Sequence, residues 1–147
     1  MVDRLSSFLR VKVLFYGSAT MRKKEKQKGV EPDACFYVQN ESLVGTKEEI
    51  DFNSDPPPDV VVEIDLHHDS ISKFSIYAAL GIPEFWRYDG NVLTIYRLRK
   101  GQYQPSEVSE SLPLLTGTVL TEFLARIPNK DQYEILLGFE EWLKSKK

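Results

Sequence analysis

The sequence predicts a mixed α/β fold, a β-sheet flanked by helices. Three observations carry this expectation. Short segments with a two-residue apolar alternation recur along the chain, most clearly at residues 59–66, DVVVEIDL. Segments with apolar residues at helical spacing fall between and after them. Turn signals near both ends, a basic connection at 21–29 and Asp89-Gly90-Asn91, read as hairpins. Strands joined by turns and strands joined by helices in one chain make a mixed sheet with helices on its faces.

Taken in order, Leu5, Phe8 and Leu9 stand at helical spacing in a segment too short for more than the end of a helix. Residues 11–16 and 34–38 read as strands of one long hairpin, joined by the polar, basic stretch 21–29. Residues 39–58 are polar and end in Asp55-Pro56-Pro57-Pro58. Three prolines offer no ladder donors, so an extended loop is expected to enter the next strand. In that strand Val60, Val62, Ile64 and Leu66 point one way, and Val61, Glu63 and Asp65 the other. Asp69 or Ser70 can cap a helix running to about Leu80, with Gly81 ending it. Residues 82–88 and 92–98 form a second hairpin, whose turn residues Gly90 and Asn91 tolerate positive φ. Residues 101–105 make a further turn or short strand. Leu120, Phe123, Leu124 and Ile127 mark a short helix. Asn129 or Asp131 caps a final helix at about 130–146, with Leu136, Phe139 and Leu143 on one side.

Composition narrows the function classes. At 147 residues the chain is expected to be a single domain, 1–147, able to bury about two-thirds of its unfolded surface. Hydrophobic residues make up 41% and charged residues 28%, a globular balance that argues against disorder. Nineteen basic against twenty-two acidic residues leave a net charge of −3, which excludes a globally basic nucleic-acid binder but not a local basic patch. One cysteine, Cys35, cannot form an intramolecular bridge or a multi-cysteine zinc site. No apolar run approaches the roughly 18 residues of a membrane span. Residues 11–15 are too short, and interrupted by Lys12, for a signal peptide. A cytoplasmic protein without a membrane partner is the expectation.

The chemistry is expected in two segments that carry acids into strand territory, EPDACFYV (31–38) and PPDVVVEIDL (57–66). Asp33 lies on the face of Cys35 and Tyr37; Glu63 sits inside an apolar run. Such carboxylates are costly to bury unless paired, hydrogen-bonded or bound to a cation. On neighbouring strands, side chains of one face stand about 5 Å apart. Two like charges at that separation repel, and a divalent cation between them reverses the sign. Few, hard oxygen ligands with room for water suit Mg²⁺ or Mn²⁺. Lys73 falls near the start of the following helix, from which an ammonium can reach the carboxylate pair. Tyr77, four residues on, shares its helix face and is an accessory candidate. Two acids, a lysine and Mg²⁺ are the apparatus of phosphodiester hydrolysis.

At these residues the sequence resembles the PD-(D/E)XK nuclease superfamily: Asp33 in a PD context, Glu63 closing PDVVVE, then a lysine. The run KFSIYAALGIPEFWRYDGNVLTIYRL (73–98) is similar to the Uma-two family of restriction-endonuclease-like proteins, formerly a domain of unknown function. The resemblance covers about residues 5 to 125, and its specificity lies in the combination. It implies a restriction-endonuclease-like mixed sheet flanked by helices and Mg²⁺-dependent (or Mn²⁺-dependent) DNA cleavage. It further implies Asp33, Glu63 and the Ile64 carbonyl as metal ligands and Lys73 as the catalytic lysine, moved from strand to helix. In the strict motif the lysine stands two residues after the acid, where this chain has Asp65. The family also carries additional strand and helix before the region matching Leu5, so part of the usual N-terminal segment is expected to be lacking. The sheet edge this exposes favours a homodimer.

Asp65 is expected in solvent near the strand's end, with an accessory metal-ligand role as the alternative. His67 and His68 point to opposite faces if on a strand and cannot share one ion, so a loop position is expected. Cys35 reads as a small packing residue. RKKEKQK (22–28) holds five basic residues in seven: Arg22, Lys23, Lys24, Lys26 and Lys28. They form either a solvated connection or a sequence-blind contact to the DNA backbone. Tyr16, Phe36, Tyr37, Trp86 and Tyr88 are expected to pack the sheet. The leading expectation is a metal-dependent DNA endonuclease. The alternative is a catalytically inactive nuclease-fold protein acting as a nucleic-acid-binding or protein-interaction module. A hydrolase of another phosphate ester is a third; isolated Gly81 and Gly101 argue against a nucleotide-phosphate loop.

Overall fold

The computed structural model describes residues 1, 2, 4, 7, 12–16, 21–23, 28–45, 51, 53–67 and 69–147, with the backbone alone for 21–23 and 28–30. The strands are β1 (Leu14–Tyr16), β2 (Met21–Lys23), β3 (Lys28–Val30), β4 (Ala34–Tyr37), β5 (Val60–Ile64), β6 (Glu84–Tyr88), β7 (Leu93–Arg99) and β8 (Gln102–Ser106). The helices are α1 (Glu41–Val44), α2 (Phe74–Leu80), α3 (Gly117–Leu124) and α4 (Gln132–Lys144), and a 3-10 turn, Ser70–Lys73, leads into α2. Six strands form one sheet in the order β1-β4-β5-β6-β7-β8, and β2 and β3 form a separate two-stranded sheet. This is the mixed α/β architecture expected.

All neighbouring strands of the large sheet run antiparallel except β5 and β6. Parallel neighbours cannot be joined by a tight turn. The 3-10 turn and α2 supply the crossover and so come to lie on the sheet beside β5. Gly81, at φ +75°, ends α2 in the left-handed conformation that a glycine adopts without steric cost. Its N–H donates to the Ala78 carbonyl, and that of Ile82 to the Tyr77 carbonyl.

Alternation on the strands divides the apolar residues between two faces. Cys35, Val61 and Phe85 pack with Tyr77, Leu80 and Ile82 beneath α2. Phe36, Val60, Trp86, Leu93 and Ile95 pack on the other face with Leu120, Phe123, Phe139 and Leu143 of α3 and α4. Strand β5 is therefore covered on both faces, which explains its run of β-branched valines. Thr116 caps α3 by accepting from Val119 N at 3.0 Å, and Asp131 caps α4 by accepting from Glu134 N at 2.9 Å.

Several local expectations are corrected. The connection between β1 and β4 contains the β2–β3 hairpin, in which Lys23 pairs with Lys28 and Arg22 with Gly29. The segment 39–58 is not wholly an extended loop, because α1 interrupts it. Buried Asp59 organises that region: Oδ2 accepts from Val38 N and Asn40 N, and Oδ1 from Asn40 Nδ2. The helix expected from residue 69 or 70 begins as the 3-10 turn, with Asp69 Oδ1 accepting from Ile71 N at 2.9 Å. The helix end expected at Leu5, Phe8 and Leu9 lies outside the described residues. Among the described residues no helix is long and apolar enough to cross a membrane.

Candidate metal centre

The site grows from the β4–β5 register. Ala34 pairs with Val62, and one further step along an antiparallel ladder sets Asp33 against Glu63. Strand β4 begins only at Ala34, so the Asp33 side chain stands in for the missing ladder acceptor. Its Oδ2 accepts from Ile64 N at 2.7 Å. Backbone N–H and C=O of one strand residue point to the same edge. The Ile64 carbonyl therefore faces the Asp33 side of β5. The Ile64 side chain is exposed at 51% on the opposite face of the sheet.

Glu63 is buried at 3% exposure on the face covered by α2. Lys73 Nζ lies 2.9 Å from Glu63 Oε1, and the Tyr77 hydroxyl donates to the same oxygen at 2.5 Å. The four-residue spacing on one helix face thus brings both donors to one carboxylate. Burial pushes the Glu63 carboxyl above the usual range; the Tyr77 and Lys73 hydrogen bonds and the Lys73 charge pull it back, while the nearby Asp33 charge adds to the rise. The Tyr77 hydroxyl is itself pushed up, first by burial and then by Glu63, so it stays a donor.

Each carboxylate keeps one oxygen without a protein donor among the described residues: Oδ1 of Asp33, which is exposed, and Oε2 of Glu63. These two oxygens and the Ile64 carbonyl are hard donors of the kind Mg²⁺ takes, with water completing the shell. Among the described residues no three His, Cys, Asp or Glu side chains gather around a point that can hold an ion. A cation here therefore has two carboxylate side chains to bind.

Asp65 is not in solvent. It is buried at 8% exposure, and its Oδ2 accepts from Ser70 N at 2.9 Å, Ser70 Oγ at 2.7 Å and Arg87 Nε at 2.6 Å. Burial alone raises its carboxyl, but the Ser70 and Arg87 contacts outweigh it and leave the group below the usual aspartate value. This engagement replaces the expected exposure, and among the described residues Asp65 forms no three-carboxylate cluster with Asp33 and Glu63. Arg87 and Ser70 had no sequence signal, because the β5–β6 register that places Arg87 beside Glu63 is a tertiary fact. His67 is exposed, and His68 lies outside the described residues. Cys35 is buried, donates to the Tyr16 carbonyl at 3.2 Å, and burial pushes its thiol up to about 12. It packs, as expected, and is no nucleophile. Among the basic candidates, Arg22, Lys23 and Lys28 lie on the β2–β3 hairpin, and Lys24 and Lys26 lie outside the described residues. Strand β3 packs beside α2, which puts the hairpin backbone on the Glu63 side of the sheet.

Residues 2–127 match the model of the Uma2 family, described as "Putative restriction endonuclease". No curated protein matches the chain. A crystal structure of "a putative nuclease belonging to DUF820" from Anabaena variabilis shares the fold, with a TM-score of 0.54 at 17% identity over 84% of this chain and 76% of that one. The family match takes in every strand of the sheet together with Asp33, Glu63, Lys73 and Tyr77, and the chain belongs to the Uma2 family of restriction-endonuclease-like proteins.

Proposed function

We propose that the protein is a divalent-metal-dependent DNA endonuclease. The observation that carries this reading is the convergence of three segments. Asp33 just before β4, Glu63 from β5 and Lys73 from the turn before α2 meet at one end of the sheet, with an oxygen on each carboxylate that has no donor among the described residues. Asp33, Glu63 and the Ile64 carbonyl would hold Mg²⁺ or Mn²⁺. When bound, the cation supplies an activated water and neutralises charge at the scissile phosphate.

The protein's own groups do the rest. Lys73, with its side chain 36% exposed, keeps its ammonium at the mouth of the site. There it orients the attacking water and stabilises negative charge developing on the phosphate. Tyr77 and Lys73 favour the ionised form of the buried Glu63, the state in which it binds a cation. The basic β2–β3 hairpin, on the same side of the sheet, contributes sequence-blind attraction to the DNA backbone. Edge strand β1 pairs only with β4 among the described residues, which supports a homodimer built on that edge.

Calorimetric titration with Mn²⁺ tests the metal pair. Wild type is expected to bind, and Asp33→Ala to bind about 10-fold more weakly or not at all. Equal binding by both, or by neither, ends the assignment. In plasmid nicking with Mg²⁺, Lys73→Ala is expected to keep metal binding and lose about 100-fold in rate. Metal-independent DNA binding without nicking by wild type would instead favour the inactive nucleic-acid-binding module. Sedimentation analysis reads the assembly directly, with a dimer as the expected species.

A further inference from the structure

A lysine supplied by a helix rather than by the acid's own strand needs its helix held in place. Strand alternation returns to the Glu63 face two residues later, at Asp65. In the strict motif the lysine reaches the site from that position. Here it carries a buried carboxylate with three donors, all on Oδ2: the Ser70 amide, the Ser70 hydroxyl and Arg87 Nε. Arg87 pairs with Glu63 across the parallel β5–β6 ladder, so the guanidinium and Glu63 rise from the same sheet face. Its Nη2 also lies 3.8 Å from Asp69 Oδ1.

Ser70, at 2% exposure, opens the 3-10 turn, and Lys73 closes it. Residues three apart eclipse one another in a 3-10 helix. Ser70 and Lys73 therefore share one face of the turn, and Tyr77 continues that face one α-helical turn further on. All three touch acids at the end of β5: Ser70 reaches Asp65, the residue after the strand, while Lys73 and Tyr77 reach Glu63. Capping alone does not explain this arrangement, because Asp69 already caps the turn through Ile71 N.

We infer that Asp65, Ser70 and Arg87 form a positioning clamp that fixes the rotation of the turn and thereby aims the Lys73 ammonium at Glu63. Arg87 orients the Asp65 carboxylate, Asp65 holds Ser70, and Ser70 sets Lys73. The acid that replaces the motif lysine thus secures the lysine that has moved. The clamp concerns the reaction proposed above and rests on that reading for its purpose, but its geometry can be tested without it.

The test uses the full chain labelled with ¹⁵N-lysine, at low temperature and mildly acidic pH. A lysine ammonium held in a part-buried ion pair exchanges its protons slowly enough to give a cross-peak, which Lys73→Met assigns. Ser70→Ala removes one hydroxyl and leaves the Ser70 amide and Arg87 donating to Asp65; Asp65→Asn weakens all three contacts. Both are expected to broaden or abolish the Lys73 signal while circular dichroism stays native, and Ser70→Thr to restore it. In nicking assays Ser70→Ala is expected to lower the single-turnover rate about 10-fold without changing DNA affinity, again with rescue by threonine. A Lys73 signal unchanged in folded Ser70→Ala and Asp65→Asn overturns the clamp. Absence of nicking by wild type overturns the nuclease reading and leaves the spectroscopic result standing.

Discussion

Glu63 and Asp65 stand two residues apart on one strand face, yet their environments push them in opposite directions. Burial raises the Glu63 carboxyl despite Tyr77 and Lys73; Ser70 and Arg87 lower that of Asp65 despite its burial. A reaction that needs ionised Glu63 loses rate as pH falls through its raised value. Tyr77→Phe removes one donor to Oε1, so the acidic limb of the pH–rate profile is expected to move to higher pH, read by single-turnover nicking. For folding stability the two signs differ. The raised Glu63 contributes stability that is complete below its ordinary value of 4.5 and lost as pH rises through its folded value. The lowered Asp65 contributes stability present above 3.8 and lost as pH falls through its folded value. The urea-midpoint difference between wild type and Asp65→Asn is therefore expected to shrink below pH 3.8. A third acid, Glu84, is fully buried and has no cationic partner among the described residues. It accepts from Trp86 Nε1, Ser109 Oγ and Ser111 N and so ties β6 to the loop before α3. Glu84→Ala leaves those donors unpaired and is expected to cost about 3 kcal/mol in urea denaturation.

The elements around the site are held by close approach and by caps. Helix α3 docks on β7 with so little clearance that a Cβ on Gly117 would stand 2.9 Å from the Leu93 carbonyl oxygen. Thr121 Oγ1 bridges the same junction, accepting from Leu93 N at 2.9 Å. A backbone oxygen cannot swing aside as a side chain can, so Gly117→Ala is expected to displace the helix and cost about 2 kcal/mol, measured by thermal unfolding. On the other face, α2 is the element that carries Tyr77 and follows Lys73. Its end at Gly81 was readable from glycine after an apolar helical run. Its 3-10 start was not: the first residue of the turn, Ser70, is held by Asp65, a contact that helical spacing does not mark.

Across the whole molecule, the two sheet faces have separate tasks. One is covered by α3 and α4 and carries an apolar cluster beside the buried Glu84. The other gathers Glu63, Lys73, Tyr77, Asp65 and Arg87 beside α2 and the basic hairpin. On the proposed function, the basic sequence of the hairpin offers DNA the local positive charge that a net charge of −3 does not. Replacing Arg22, Lys23 and Lys28 together with glutamine is expected to weaken DNA binding uniformly across sequences. The slope of log affinity against log salt is expected to flatten by roughly 0.9 for each phosphate that is no longer neutralised, measured by fluorescence anisotropy.

The order of residues alone was enough to set the alternation that makes β5 a doubly covered strand, the proline entry to it, the glycine stop of α2 and the family to which the chain belongs. It also marked Asp33, Glu63 and Lys73 through their resemblance to the nuclease motif, and Tyr77 through its spacing of four from Lys73 on a helix. What these side chains touch was settled only in the folded molecule. Arg87 reaches Asp65 from 22 residues away through a parallel register, and Asp33 completes a ladder that its own strand does not extend. Register between segments is chosen by the packing of both sheet faces at once, and that choice is a property of the folded chain, with no counterpart in any local stretch of residues.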